Sequence, residues 1–69
     1  MNTFAIGVEL EKLRSYLREE VKVCSKNAEE LETAKDERMA TYWRDRCQVN
    51  TSIAMKVEHL IRKMSRDAA

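Results

Sequence analysis

Apolar residues recur at intervals of three and four along almost the whole chain. The first run reads Ile6, Leu10, Leu13, Leu17, Val21, Cys24, Ala28 and Leu31. The second, interrupted by one polar residue, reads Met39, Trp43, Cys47, Asn50, Ile53, Val57, Leu60 and Met64. Such intervals gather side chains on one face of an α-helix, because each turn takes about 3.6 residues. The pattern predicts two helices within a single domain spanning 1–69, the first over about 3–34 and the second over about 37–66.

The segment between the runs, Thr33-Ala34-Lys35-Asp36-Glu37-Arg38, carries neither Gly nor Pro. A turn there has to be inferred from capping chemistry. The carboxylate of Asp36 can accept from free amides in the first turn of the second helix, and Glu37 would sit in its positive end. Lys56, Arg62, Lys63 and Arg66 crowd the far end, where the helix dipole favours cations. Asn2 or Thr3 can cap the first helix in the same way.

Folding the chain back at Lys35–Asp36 produces apolar layers. Leu31 meets Met39 or Ala40, Ala28 meets Trp43, Cys24 meets Cys47, and Val21 meets Asn50. Further out, Leu17 meets Ile53 or Ala54, Leu13 meets Val57, Leu10 meets Leu60 or Ile61, and Ile6 meets Met64. Two other readings fit the same spacing: a break at Asn27, where Asn27-Ala28-Glu29-Glu30 suits a capping box, and one unbroken helix near 100 Å long. The layers favour the hairpin.

Length then bears on assembly. A chain of 69 residues buries only about 60% of its unfolded surface when folding alone. Chains this small recover stability through disulfides, metals or association. There are two cysteines, one histidine and no Cys-x-x-Cys pair, so no metal and no cofactor is expected. Cys24 and Cys47 face each other, but helix axes pack about 8–10 Å apart, while a disulfide needs Cα atoms within about 7 Å. Two reduced thiols acting as small hydrophobes are expected instead. Association remains: an all-α fold, a two-helix antiparallel hairpin dimerising into a four-helix bundle. Ile6, Leu10, Leu13, Leu17, Ile53, Val57, Leu60 and Met64 are the expected core and dimer residues. Phe4, Val8, Tyr16, Val23, Tyr42, Val49, Met55 and Ile61, off the main stripe, would be covered in part by the same dimer.

An enzyme is not expected. His59 has no nucleophile or carboxylate grouped with it by spacing, and acid–base chemistry needs partners within hydrogen-bond reach. Glu11, Arg14, Arg18 and Arg46 could be imagined in a chorismate-mutase-like site, but that bundle needs a third helix. Nor is a small-molecule or membrane partner indicated, since no apolar stretch approaches the length of a membrane span. The start Met1–Leu10 lacks the basic and apolar regions of a secretory signal, so a cytoplasmic location is expected.

The net charge is +1, yet its distribution is uneven. Residues 29–37 carry Glu29, Glu30, Glu32, Asp36 and Glu37 against Lys35, whereas seven Lys or Arg face three acids over 38–69. Dipole complementation and solvated faces account for part of this. The rest suggests an acidic hairpin tip beside Tyr42 and Trp43 that engages a basic protein surface, with Glu29, Glu30, Glu37, Tyr42, Trp43 and Arg46 as candidate partner-binding residues. Arg46 could equally lay its stem along the seam and keep its head in water. The alternative is a small dimeric bundle binding RNA through Arg44, Lys56, Arg62, Lys63 and Arg66; direct nucleic-acid binding is the less expected of the two.

The first arm, Ala5-Ile6-Gly7-Val8-Glu9-Leu10-Glu11-Lys12-Leu13-Arg14-Ser15-Tyr16-Leu17-Arg18, followed by Tyr42-Trp43-Arg44, resembles the small host-takeover proteins of temperate phages, in particular a quorum-sensing anti-activator of Pseudomonas phage. The resemblance covers the whole length and includes no diagnostic motif. It implies a helical dimer that binds a LuxR-type (LasR-like) transcription activator and blocks its DNA binding. It also implies a second target, the type IV pilus assembly ATPase (PilB-like), and a role in superinfection exclusion within the host cytoplasm. It assigns no binding residue.

Overall fold

The structure, a computed structural model, describes residues 3–68, without the side chain of Ala68. Helix α1 spans Thr3–Thr33 and helix α2 spans Glu37–Ala68. They pack antiparallel along their whole length into a rod with Cα extents of 50 × 15 × 14 Å. Its radius of gyration of 15.6 Å exceeds the roughly 11 Å of a globular chain of this size, so the two helices meet along a seam and enclose no central core. The possible cap Asn2 lies outside the described residues.

The turn is tight. The amide of Asp36 donates to the carbonyl of Leu31 at 2.9 Å and that of Lys35 to Glu32 at 3.0 Å. This pair of bonds is a Schellman ending, which needs one residue in the left-handed region. Lys35 occupies it, with φ of 61°. Asp36 then starts α2: its carbonyl accepts from the amide of Ala40 at 3.0 Å and its Oδ1 from that of Met39 at 3.2 Å. One residue closes the first helix and caps the second.

The seam follows a regular heptad, with Leu10, Arg14, Leu17, Val21, Cys24, Ala28 and Leu31 on α1 and Ala40, Trp43, Cys47, Asn50, Ala54, Val57, Ile61 and Met64 on α2. Its buried members are Leu17, Cys24, Ala28, Ala40, Ala54 and Val57, flanked by Leu10 and Ile61. Here the structure departs from the sequence reading. The stripe inferred from spacing drifts one helical position off the seam at both outer ends. Ala40, Ala54 and Ile61 enter the contact in place of Met39, Ile53 and Leu60, and Arg14 in place of Leu13. Ile6, Leu13, Ile53 and Leu60 are left 37–47% exposed. The reason is steric: Cys24 and Ala54 are fully covered, and a bulkier side chain at such positions would overfill the seam.

Cys24 and Cys47 are free thiols. Two polar groups sit in the seam. The amide nitrogen of Asn50 donates toward the sulfur of Cys24 at 3.7 Å. Arg14 leaves its Nε buried without a partner while Nη2 reaches Glu11 at 2.8 Å.

Two outcomes follow from this packing. Lys35→Gly relieves a left-handed residue and should stabilise the hairpin by about 1 kcal/mol. Ala54→Leu overfills the narrowest part of the seam and should cost about 1–3 kcal/mol. Urea titration followed by circular dichroism measures both.

Candidate functional site

A two-helix seam leaves two flanks, and in antiparallel pairs each flank is lined by equivalent heptad positions of both helices. On this chain the flanks differ in chemistry. One flank is ion-paired. Arg18 donates from Nε and Nη2 to the two oxygens of Glu58 at 2.9 and 2.6 Å, a bidentate contact between helices. Arg44 pairs with Glu32 on the same flank nearer the turn. The hydrogen bonds and charge of Arg18 hold the Glu58 carboxyl below its ordinary value of 4.5, with smaller contributions from Arg14 and Arg62.

The other flank is apolar. It carries Ile6 and Leu13 from α1 and Met39, Ile53 and Leu60 from α2, bordered by Tyr16, Val23, Tyr42 and Val49, all of them exposed large side chains. Among the described residues none covers this band. Monomeric proteins rarely leave contiguous apolar surface of this kind open.

Near the turn, three of the sequence-predicted partner-binding residues come together. The rings of Tyr42 and Trp43 meet edge to face, 5.3 Å apart at 82°. The Arg46 guanidinium lies 5.8 Å from the Tyr42 ring centre and 5.7 Å from that of Trp43, and its Nη1 donates to the Tyr42 hydroxyl at 3.4 Å. That bond is the largest contribution raising the Arg46 pKa. Trp43 is half-buried in the seam, whereas Tyr42 and Arg46 are exposed.

The acidic candidates divide. Glu29, Glu30 and Glu37 are all exposed. Glu30 shares the heptad flank of Tyr42 and Arg46, while Glu37 borders a shallow groove on the opposite flank with Glu32, Lys35, Ala40, Thr41 and Arg44. The acidic tip is therefore a cap around the turn, with its aromatic–arginine cluster on one side only. The basic residues of the alternative RNA-binding reading are spread around α2 instead of sharing a face: Arg44 is committed to Glu32, and Lys56 and Lys63 fall on the flank opposite to it.

A groove of about 820 Å³ opens between the helix ends away from the turn, lined by Phe4, Gly7, Val8, Glu11, Ile61 and Met64. Spacing did not reveal it. It exists because Gly7 falls at a seam position and supplies no side chain; a Cβ built there meets nothing within 4 Å. Among the described residues no group of three His, Cys, Asp or Glu could hold a metal ion, and no helix is long and apolar enough to cross a membrane. Comparison with protein-family models, with curated proteins and with solved structures finds no match to this chain.

The Glu58 carboxylate fixes an acid dependence. Because its folded pKa lies below the unfolded one, the Arg18 contact contributes stability above about pH 4.5 that is lost as the pH falls through the lower folded value. Thermal midpoints recorded between about pH 5 and 3 should fall more steeply for the wild-type chain than for Glu58→Gln.

Proposed function

We propose that this chain is a protein–protein interaction inhibitor: a helical hairpin that dimerises into a four-helix bundle through its apolar flank and captures a regulatory protein with the turn end. The observation that carries the reading is the band of Ile6, Leu13, Met39, Ile53 and Leu60, large residues that the seam excludes and that water would otherwise meet. A second copy with the same band is the simplest cover, and an isologous pairing closes without leaving a further patch.

The turn end supplies recognition. Tyr42, Trp43 and Arg46 form a compact cluster of the residue types that dominate binding hot spots. Glu29, Glu30 and Glu37 around it offer negative charge to a basic surface. A DNA-binding domain is such a surface, since its phosphate-facing side is rich in Lys and Arg. Covering it would prevent DNA binding without any chemical step. The resemblance to phage anti-activators supplies the target class, a LuxR-type activator of quorum sensing in the host, and the pilus assembly ATPase as a second target. The site of action on that reading is the bacterial cytoplasm.

The test is a gel shift with a purified LuxR-type activator and its operator DNA. Added chain should abolish the shift at stoichiometric excess. Glu29→Lys/Glu37→Lys should weaken inhibition by roughly tenfold or more, because each reversal sets like charges together at the contact, while the dimer persists in sedimentation, since neither residue lies on the apolar flank. An activator that stays on DNA under excess wild-type chain would reject the inhibitor reading.

A further inference from the structure

The apolar flank has a charge pattern that selects one way of pairing two copies, and this inference rests on the dimer proposed above. On that flank the charged residues of α1 are all acids: Glu9 and Glu30 are exposed and Glu20 is half-buried. The α2 edge exposes Lys56 and Lys63, with Asp67 in its last turn, while Arg46 nearer the turn is held against Tyr42 and Trp43. Among the described residues Glu20, Glu30, Lys56 and Lys63 make no ion pair within the chain, and Glu9 makes only a solvent-exposed one with Lys12 at 3.4 Å. The flank is thus a strip of aliphatic residues with an acidic edge along one helix and a basic edge along the other.

Two hairpins can meet through this flank by a closed two-fold in two ways. An axis across the helices sets α1 on α1 and α2 on α2, which puts acid against acid and base against base. An axis along the helices sets α1 on α2 of the partner subunit, with both turns at the same end. Only this arrangement opposes unlike charges on both edges. It also keeps each residue at the height it has within its own hairpin, so Leu13 comes level with Leu60 of the partner subunit and Val23 with Val49 of the partner subunit. Glu9 comes level with Lys63 of the partner subunit. Every adjacent helix pair remains antiparallel, which suits the helix dipoles.

We infer that the second copy docks by the lengthwise two-fold, α1 against α2 of the partner subunit, and that the opposed acidic and basic edges fix this choice. The two acidic turns then lie side by side at one end of the bundle, and a partner protein meets both at once.

Sedimentation equilibrium on charge-reversed chains tests this, with circular dichroism confirming helical content. Glu9→Lys/Glu20→Lys and, separately, Lys56→Glu/Lys63→Glu should each weaken the dimer by roughly tenfold or more, since each sets like charges together at the Glu9–Lys63 contact, twice over by the two-fold, and reverses the charge of one edge. The quadruple variant exchanges the edges and should regain wild-type dimerisation. In the crosswise arrangement α1 meets only α1 and α2 only α2, so neither double variant gains a repulsion that the wild-type dimer lacks, and wild-type or tighter affinity in both doubles would overturn the lengthwise pairing while leaving the dimer in place. Weakened doubles without recovery in the quadruple variant would overturn it as well. A wild-type chain that sediments as a monomer throughout would instead overturn the dimer itself.

Discussion

Burial of small side chains along the seam is the constraint on which the molecule depends. Cys24, Ala28, Ala40 and Ala54 are at most 3% exposed, and Ile or Leu at the same positions would overfill the contact. Dispersion and burial along this line hold the hairpin together, since each methyl-sized group in a close-packed seam contacts many neighbours. The large aliphatic residues are displaced to one side as a result. Internal packing and the exposed apolar flank are therefore two outcomes of one steric choice.

The division of polar groups follows from the same geometry. The flank that holds Arg18–Glu58 and Glu32–Arg44 is tied within one chain by two ion pairs across the seam, and its exposed large apolar residues, Phe4, Val8 and Met55, are scattered. The opposite flank is unfinished, with aliphatic residues along its middle and uncancelled charges along its edges. Arg14 and Asn50 are half-buried polar groups in the seam, and polar residues at heptad core positions penalise slipped registers.

Much of this was legible in the sequence. The two runs at intervals of three and four gave the helices, and the layer pairing gave the bend and the facing of Cys24 and Cys47. Asp36 was recognisable as a cap from its side chain. What could not be read was which of two adjacent residues enters the contact. Ile53 and Ala54, Leu60 and Ile61, and Met39 and Ala40 each satisfy the spacing, and apolar weight favours the larger member or neither. The choice depends on interhelical distance, which no single run encodes. The turn was also obscured, because Lys35 adopts a left-handed conformation that glycine usually marks. Of the candidate site, Tyr42, Trp43 and Arg46 were each anticipated as partner-binding residues from residue type, but not their packing into one cluster. The groove beside Gly7 was not, because it arises from a missing side chain.

Trp43, the sole indole in the chain, sits half-buried one and a half turns into α2, under the Arg46 guanidinium. Its emission therefore senses only the closed end of the hairpin. The opposite end, where Gly7 leaves the helices without a filling side chain, can fray while the fluorophore stays in place. Heating followed by fluorescence and heating followed by far-ultraviolet dichroism would then trace different curves from the same molecule, with the spectroscopic lag marking how far the ends open before the bend gives way.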